Sequence, residues 1–188
     1  MNQLPQLSTN RLLLRNLQVT DIPLLVKYAN NKAIADNVLN IPHPYTEKDA
    51  VFWLNFVLQG FQNKERFVFA IVQKESNEFI GAIGLHPAGK HDNAEMGYWL
   101  GEPFWGKGFM TEAASVVLKF GFEELNLHKI YATHFTDNIA SGKVMLNNGM
   151  IKEGELKDQY KVGDVYKSVI QYRLLKEEWQ TVNRTSNP

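Results

Sequence analysis

The eight residues Trp105-Gly106-Lys107-Gly108-Phe109-Met110-Thr111-Glu112 hold the clearest chemistry in the chain. Two glycines allow a sharp turn, and the apolar spacing that follows predicts a helix. The first N–H groups of a helix have no intrahelical acceptor, and the helix dipole adds positive potential there. Glycine lets such a backbone approach phosphate oxygens closely, and Lys107 adds a cation. Anion binding, above all of phosphate, is the chemistry this stretch offers. It is neither a Walker loop, G-x-x-x-x-G-K-S/T, nor the dinucleotide fingerprint G-x-G-x-x-G. Taken alone it also fits an ordinary glycine-containing turn between strand and helix. Further along, Asn138 suits the N-cap of a short helix, with Ser141 one turn later on the same face.

The bulk composition removes several alternatives. The 188 residues include no cysteine, which excludes a disulfide framework, a thiolate zinc site and a cysteine nucleophile. Twenty basic and twenty acidic residues cancel. No general field then draws the chain toward nucleic acid or an anionic membrane, and neither is expected as a partner. Apolar residues make up 44%, which argues against disorder. The N-terminal stretch lacks a basic region followed by an apolar one, so no signal peptide is expected. No apolar run approaches the roughly 20 residues that a membrane span needs. A cytoplasmic protein with one domain over residues 7–179 is the expectation, with tails at 1–6 and 180–188.

Positioning the loop requires a scaffold, and hydrophobic periodicity supplies one. Residues 11–15 (RLLLR) read as a first strand, and Thr20, Asp21 and Pro23 signal a helix running to about Asn31. Residues 37–45 carry two prolines and read as loop. Thr46, Glu47 and Asp49 open a second helix that ends near Gly60. The apolar runs 67–72 and 79–85 and the stretch 94–100 are strands joined by tight turns, so they pair antiparallel. After the glycine-rich loop come a helix over 111–125, a strand over 129–135, a helix over 138–147 and a final hairpin, 150–156 with 166–174. The strand–helix–strand unit beginning at residue 94 predicts a parallel crossover. The result is a mixed α/β sheet with helices on both faces.

Several motifs in a fixed order resemble those of the GNAT (Gcn5-related) acetyltransferases, in particular the RimJ/RimL-type branch of ribosomal-protein N-terminal acetyltransferases. They are TNRLLLR at 9–15, GYWL at 97–100, WGKGFMTEA at 105–113, Asn138-x-x-Ser141, Asn148-Gly149-Met150 and Glu153-Gly154. The resemblance spans about residues 7–179. It implies the GNAT fold, a central, mostly antiparallel sheet of six to seven strands flanked by about four helices, splayed between the fourth and fifth strands. It also implies acetyl-CoA as cosubstrate, with no metal, and a primary amine as acceptor.

The family signature Gln/Arg-x-x-Gly-x-Gly/Ala aligns with residues 105–110. Trp105 stands where Gln or Arg is usual, and Met110 where a small residue is. By resemblance the pyrophosphate is cradled by Trp105, Gly106, Lys107, Gly108, Phe109, Met110 and Thr111, with the Met110 thioether turned away. The pantetheine arm would lie in the splay, against the backbone of Tyr98, Trp99 and Leu100, with Asn138 and Ser141 on its other side. Tyr98 and Trp99 also fit as core aromatics. Acetyl transfer to an amine needs a base, a stabilised oxyanion and a proton for the leaving thiolate. Glu95, at the start of its strand, is the first candidate base, and Ser141 is the candidate thiol-side donor. Glu112 and His86 are rival bases, while His134 reads as a core histidine. Trp53, Phe56 and Tyr160 are candidates for the acceptor side.

Direct transfer within a ternary complex follows most simply from the absence of cysteine. The acceptor expected from the branch is a peptide N-terminal amine, with small amines such as polyamines, amino acids or antibiotics as the alternative. A regulatory acyl-CoA-binding module without turnover and a nucleotide-binding protein are the other readings of the same loop. Relatives in this branch are often homodimers, which makes a second copy a candidate partner.

Overall fold

The computed structural model describes residues 3–185. Eight strands form one sheet: β1 (Leu7–Ser8), β2 (Leu12–Arg15), β3 (Phe67–Gln73), β4 (Glu78–Pro87), β5 (Asn93–Leu100), β6 (Lys129–Phe135), β7 (Ile151–Val162) and β8 (Val165–Leu175). Their order is β1-β2-β3-β4-β5-β6-β8-β7. Every neighbouring pair is antiparallel except β5 with β6. The strand count exceeds the expected seven because the chain pairs Leu7 with Leu14 and Ser8 with Leu13, adding a two-residue edge. The expected fourth and fifth strands are therefore β5 and β6.

The helices are α1 (Ile22–Ala29), α2 (Lys32–Ala35), α3 (Glu47–Gln62), α4 (Phe109–Glu123), α5 (Ile139–Asn147) and α6 (Lys176–Thr185). Four of them match the expected ones. The single-turn α2 is too short to show a helical period, and its marker is Asn31, whose side chain accepts from Ala33 N–H. At α3 the expected start is a capping box, in which Thr46 N–H donates to the Asp49 carboxylate at 2.8 Å. This helix ends two residues past Gly60, near the expected position. The missing side chain at Gly60 makes room for the stem of Arg66, since a Cβ there would lie 2.6 Å from Arg66 Cδ.

α4 starts two residues earlier than expected. Gly108 sits in the left-handed region at φ +76°, which turns the chain straight into the helix, and Phe109 and Met110 both dock in the core. Near the other end of α4, Phe120 lies edge-on between Phe67 and Phe69 of β3, at centroid distances of 5.9 and 5.4 Å. α6 occupies much of the stretch expected as a C-terminal tail. Trp179 rests on Phe122 with centroids 5.4 Å apart, and Glu178 accepts from Leu175 N–H and from Arg173. In the stretch expected as the N-terminal tail, Leu4 is buried in the core. Residues 1–2 and 186–188 of those tails lie outside the described residues. Among the described residues no helix is long and apolar enough to cross a membrane.

Candidate active site

The glycine-rich loop leads into an uncapped helix start through two left-handed glycines. Gly106 and Gly108 both adopt positive φ, +72° and +76°. No side chain caps α4. Its first backbone bond runs from Glu112 N–H to Gly108 O at 3.1 Å. The N–H groups of Phe109, Met110 and Thr111 therefore precede any intrahelical acceptor. Met110 is only 7% exposed, so its thioether faces the core, as expected. Trp105 is 44% exposed. Its indole N–H donates to Leu100 O at 2.6 Å. This bond ties the loop to the end of β5 and uses one of the two lone pairs of the Leu100 carbonyl.

One brace of this loop has no trace in the local sequence. Arg11, on the approach to β2, donates from Nη1 to Lys107 O at 3.0 Å and from Nε to Glu112 at 2.7 Å. Its guanidinium lies 4.5 Å from the centre of the Phe109 ring. Glu112 also accepts from Arg11 N–H at 2.9 Å and from the Thr9 hydroxyl at 2.5 Å. Burial raises the Glu112 carboxyl, but these bonds outweigh it and hold the group below its ordinary range. Glu112 is thus a structural carboxylate, and its candidacy as a base falls. We expect Arg11→Ala to raise KM for acetyl-CoA by on the order of tenfold, a modest figure because the pair is partly exposed, with kcat little changed. Saturation kinetics in acetyl-CoA check this, and an unchanged KM would remove Arg11 from the account.

The splay begins beside Glu95. β5 and β6 pair only through Asn93↔Lys129, Ala94↔Ile130 and Glu95↔Tyr131, and no later residue of β5 meets β6. Apart from the Leu100 carbonyl, which takes the Trp105 indole, the backbone groups of residues 96–100 that face β6 have no partner in that strand. Around Glu95, Thr133 Oγ1 donates to its carboxylate at 3.4 Å. Burial raises the Glu95 pKa above the ordinary carboxylate range, and the Thr133 bond offsets this in part. The phenols of Tyr131 and Tyr160 are pushed up by burial and then by the Glu95 charge, which places Tyr160 within electrostatic reach of it. His86 lies directly across from Glu95 on β4.

Tyr98 leaves β5 toward α5. Its hydroxyl lies 2.9 Å from Ser141 Oγ and 3.0 Å from Ser141 O. Burial raises this phenol well above its usual range, with Ser141 lowering it in part, so it stays protonated. Asn138 is the N-cap of α5, accepting from Ser141 N–H at 3.2 Å. Trp99 packs on Phe79 at 5.9 Å, so its side chain is a core aromatic. His134 is also in the core, with Nδ1 2.7 Å from Phe135 O, and it joins no part of the site. Phe56 faces the Arg66 guanidinium at 4.1 Å on one side and remains exposed on the other. A cavity of about 530 Å³ opens between α2, the following loop and the hairpin tip, lined by Lys32, Asp36, Asn40, His43 and Val162.

Comparison with known proteins agrees with this geometry. The model of the Acetyltransferase (GNAT) domain matches residues 11–151. The N-acetyltransferase p20 of Bacillus licheniformis is 34% identical over 179 residues, covering 92% of this chain and 97% of that one. The ribosomal protein uS5-alanine N-acetyltransferase of Escherichia coli is 24% identical over 128 residues, covering 67% and 66%. Among solved structures, a GNAT-family acetyltransferase from Bacillus anthracis superposes with a TM-score of 0.83 at 26% identity, over 92% of this chain and 99% of that one.

Proposed function

Because the chain belongs to the GNAT family of acetyl-CoA-dependent N-acetyltransferases, we propose that it transfers the acetyl group directly to a protein N-terminal amine in a ternary complex. The observation that carries this reading is the three-pair seam between β5 and β6, which opens immediately after Glu95 and below the Gly106–Gly108 nest. The nest suits a diphosphate, and the unpaired edge of β5 suits an amide-bearing arm. The E. coli relative that acts on a ribosomal-protein alanine supports a peptide amine as acceptor. The cytoplasm, where ribosomal proteins are made, is the proposed location.

Each residue has one task. Glu95 takes the proton from the acceptor ammonium, directly or through one water, which leaves a neutral nucleophile. Its raised affinity for protons suits it to that task. A backbone N–H on the open edge of β5 faces the carbonyl oxygen as it gains charge. Ser141 Oγ–H gives its proton to the departing thiolate and is refilled from solvent, while the Tyr98 hydroxyl, 2.9 Å away, holds Ser141 in place and keeps its own proton.

Two measurements test the reading. Calorimetry with CoA should show binding at micromolar to millimolar ligand. Thiol release should then appear with an N-terminal peptide panel and be weaker with spermidine, and mass spectrometry should place the acetyl group on the peptide α-amine. Ser141→Ala should slow thiol release about 10–10²-fold, less than a full acid–base loss because water can replace the hydroxyl. Absence of CoA binding at millimolar ligand would overturn the whole proposal. Turnover on spermidine alone would overturn the acceptor.

A further inference from the structure

Arg66, His86 and Gly97 form a chain of contacts that neither the fold nor the transfer mechanism above requires. Arg66 Nη1 lies 3.3 Å from His86 Nδ1. The guanidinium is held in place from two sides, by the Phe56 ring at 4.1 Å and by the notch that Gly60 leaves for its stem. A guanidinium has hydrogens to donate and no lone pair to offer. Nδ1 of His86 must therefore be the acceptor. A neutral imidazole carries one N–H, which places the proton on Nε2.

That nitrogen lies over Gly97. Nε2 is 3.5 Å from the point where a Cβ of Gly97 would stand, and, leaving aside Gly97 and its chain neighbours, only His86 comes within 4 Å of that point. Gly97 is two residues beyond Glu95, on the part of β5 that has left β6. Cross-strand partners share a sheet face, so His86 and Glu95 project from the same side. Glu95 is the charged group beside His86 in that row, and Arg66 is the charged group behind it.

We infer that His86 is a catalytic hydrogen-bond donor, whose Nε2–H binds the acyl oxygen as the acceptor amine attacks, and is not a general base. This role rests on the acetyl-transfer reading above. In the step concerned, the amine nitrogen forms the new C–N bond and the carbonyl π pair moves onto oxygen. Glu95, having passed the first ammonium proton to solvent, takes the second proton, which the nitrogen sheds as the C–N bond forms. The C–S bond then breaks as the oxygen pair re-forms the carbonyl, and the thiolate takes the Ser141 proton. His86 releases no proton at any stage. Burial first, and the Arg66 charge second, pull its pKa down to about 4, which keeps the ring neutral at working pH.

Two experiments test the inference. Long-range proton–nitrogen NMR of the ligand-free protein should show a pyrrole-type Nε2 and a pyridine-type Nδ1 for His86. The opposite tautomer, or a charged ring at neutral pH, would overturn the assignment. In kinetics, His86→Ala should lose about 10²-fold in kcat with CoA affinity retained, as removal of one oxyanion donor does. His86→Gln places an amide N–H near the Nε2 position and should recover to within about tenfold of the wild type. Equal losses in the two variants would overturn the donor role. So would an acidic limb of the pH–rate profile that disappears in His86→Gln, because only a base would remove it. If the wild type bound no CoA, the transfer reading and the acyl-oxygen role would fall together, while the NMR result would still decide the tautomer.

Discussion

Glu95→Gln is expected to lower kcat/KM about 10²–10⁴-fold while CoA affinity stays at the wild-type value. The amide keeps the size of the carboxylate and its place across from His86 and beside Tyr131. What it loses is the capacity to hold the amine proton. The raised pKa fixes the pH dependence. Only the ionised carboxylate accepts a proton, so wild-type kcat/KM should climb with pH through a midpoint above the ordinary carboxylate range, and this limb should vanish in the variant. Parallel pH–rate profiles and calorimetric CoA titrations check both parts. A variant retaining more than a tenth of wild-type turnover would move the base elsewhere or leave deprotonation to solvent.

The same substitution has a second effect, on stability. Burial raises the Glu95 pKa in the folded protein above its value in the unfolded chain. Between those two values the native state binds more protons than the unfolded state, so stability falls as pH rises through that window. Glutamine carries no charge to desolvate. Glu95→Gln should therefore melt higher than the wild type at neutral pH, with the gap closing as the pH drops below the window. A more active but less stable wild type is what a working carboxylate in a half-buried position implies.

Phe120→Ala should produce the largest loss of stability among single changes in the core, about 3–5 kcal/mol. The ring is 2% exposed and meets both Phe67 and Phe69 edge-on. Truncation removes its buried area and both aromatic contacts, and it leaves a void under the centre of the sheet that rigid neighbours fill only in part. Urea denaturation measures the loss, and thermal melting should fall by roughly 10 °C for a domain of this size. A loss below about 1 kcal/mol would mean that β3 and α4 close over the gap, contrary to the close packing expected of such a core.

How much of the site the sequence carried depended on range. The nest was legible because Gly106, Gly108 and the start of α4 are neighbours, and local spacing records local geometry. The place of Glu95 near the opening of a strand was legible from the apolar run that follows it. Asn138 was legible as an N-cap, again from local spacing. The Arg11–Glu112 brace was not, because 101 positions separate the partners and each residue has an ordinary local explanation, a strand flank for one and a helix dipole for the other. The Tyr98–Ser141 contact depends on how β5 faces α5, which periodicity does not specify. Gly60 lies two residues before the end of its helix, as expected, but its lack of a side chain serves a second purpose. Glycine marks both helix ends and close approaches, and only the position of Arg66 reveals the second. His86 stood out as a titratable residue near a strand end, but its tautomer depends on a guanidinium twenty positions earlier.

The short join of β5 to β6 also divides the sheet mechanically. On one side stand β1 to β5 with the face carrying α3, and on the other β6, β8 and β7; within the sheet they are joined by only three residue pairs, and outside it by α4, the Tyr98–Ser141 contact and the shared core. A molecule lying in that gap and bonding to β5 and β6 together acts as a removable strand. It would add ladder bonds across a seam that three residue pairs alone now close within the sheet. Grip on the donor and the stiffness of that seam are then one property, governed by the same few backbone amides.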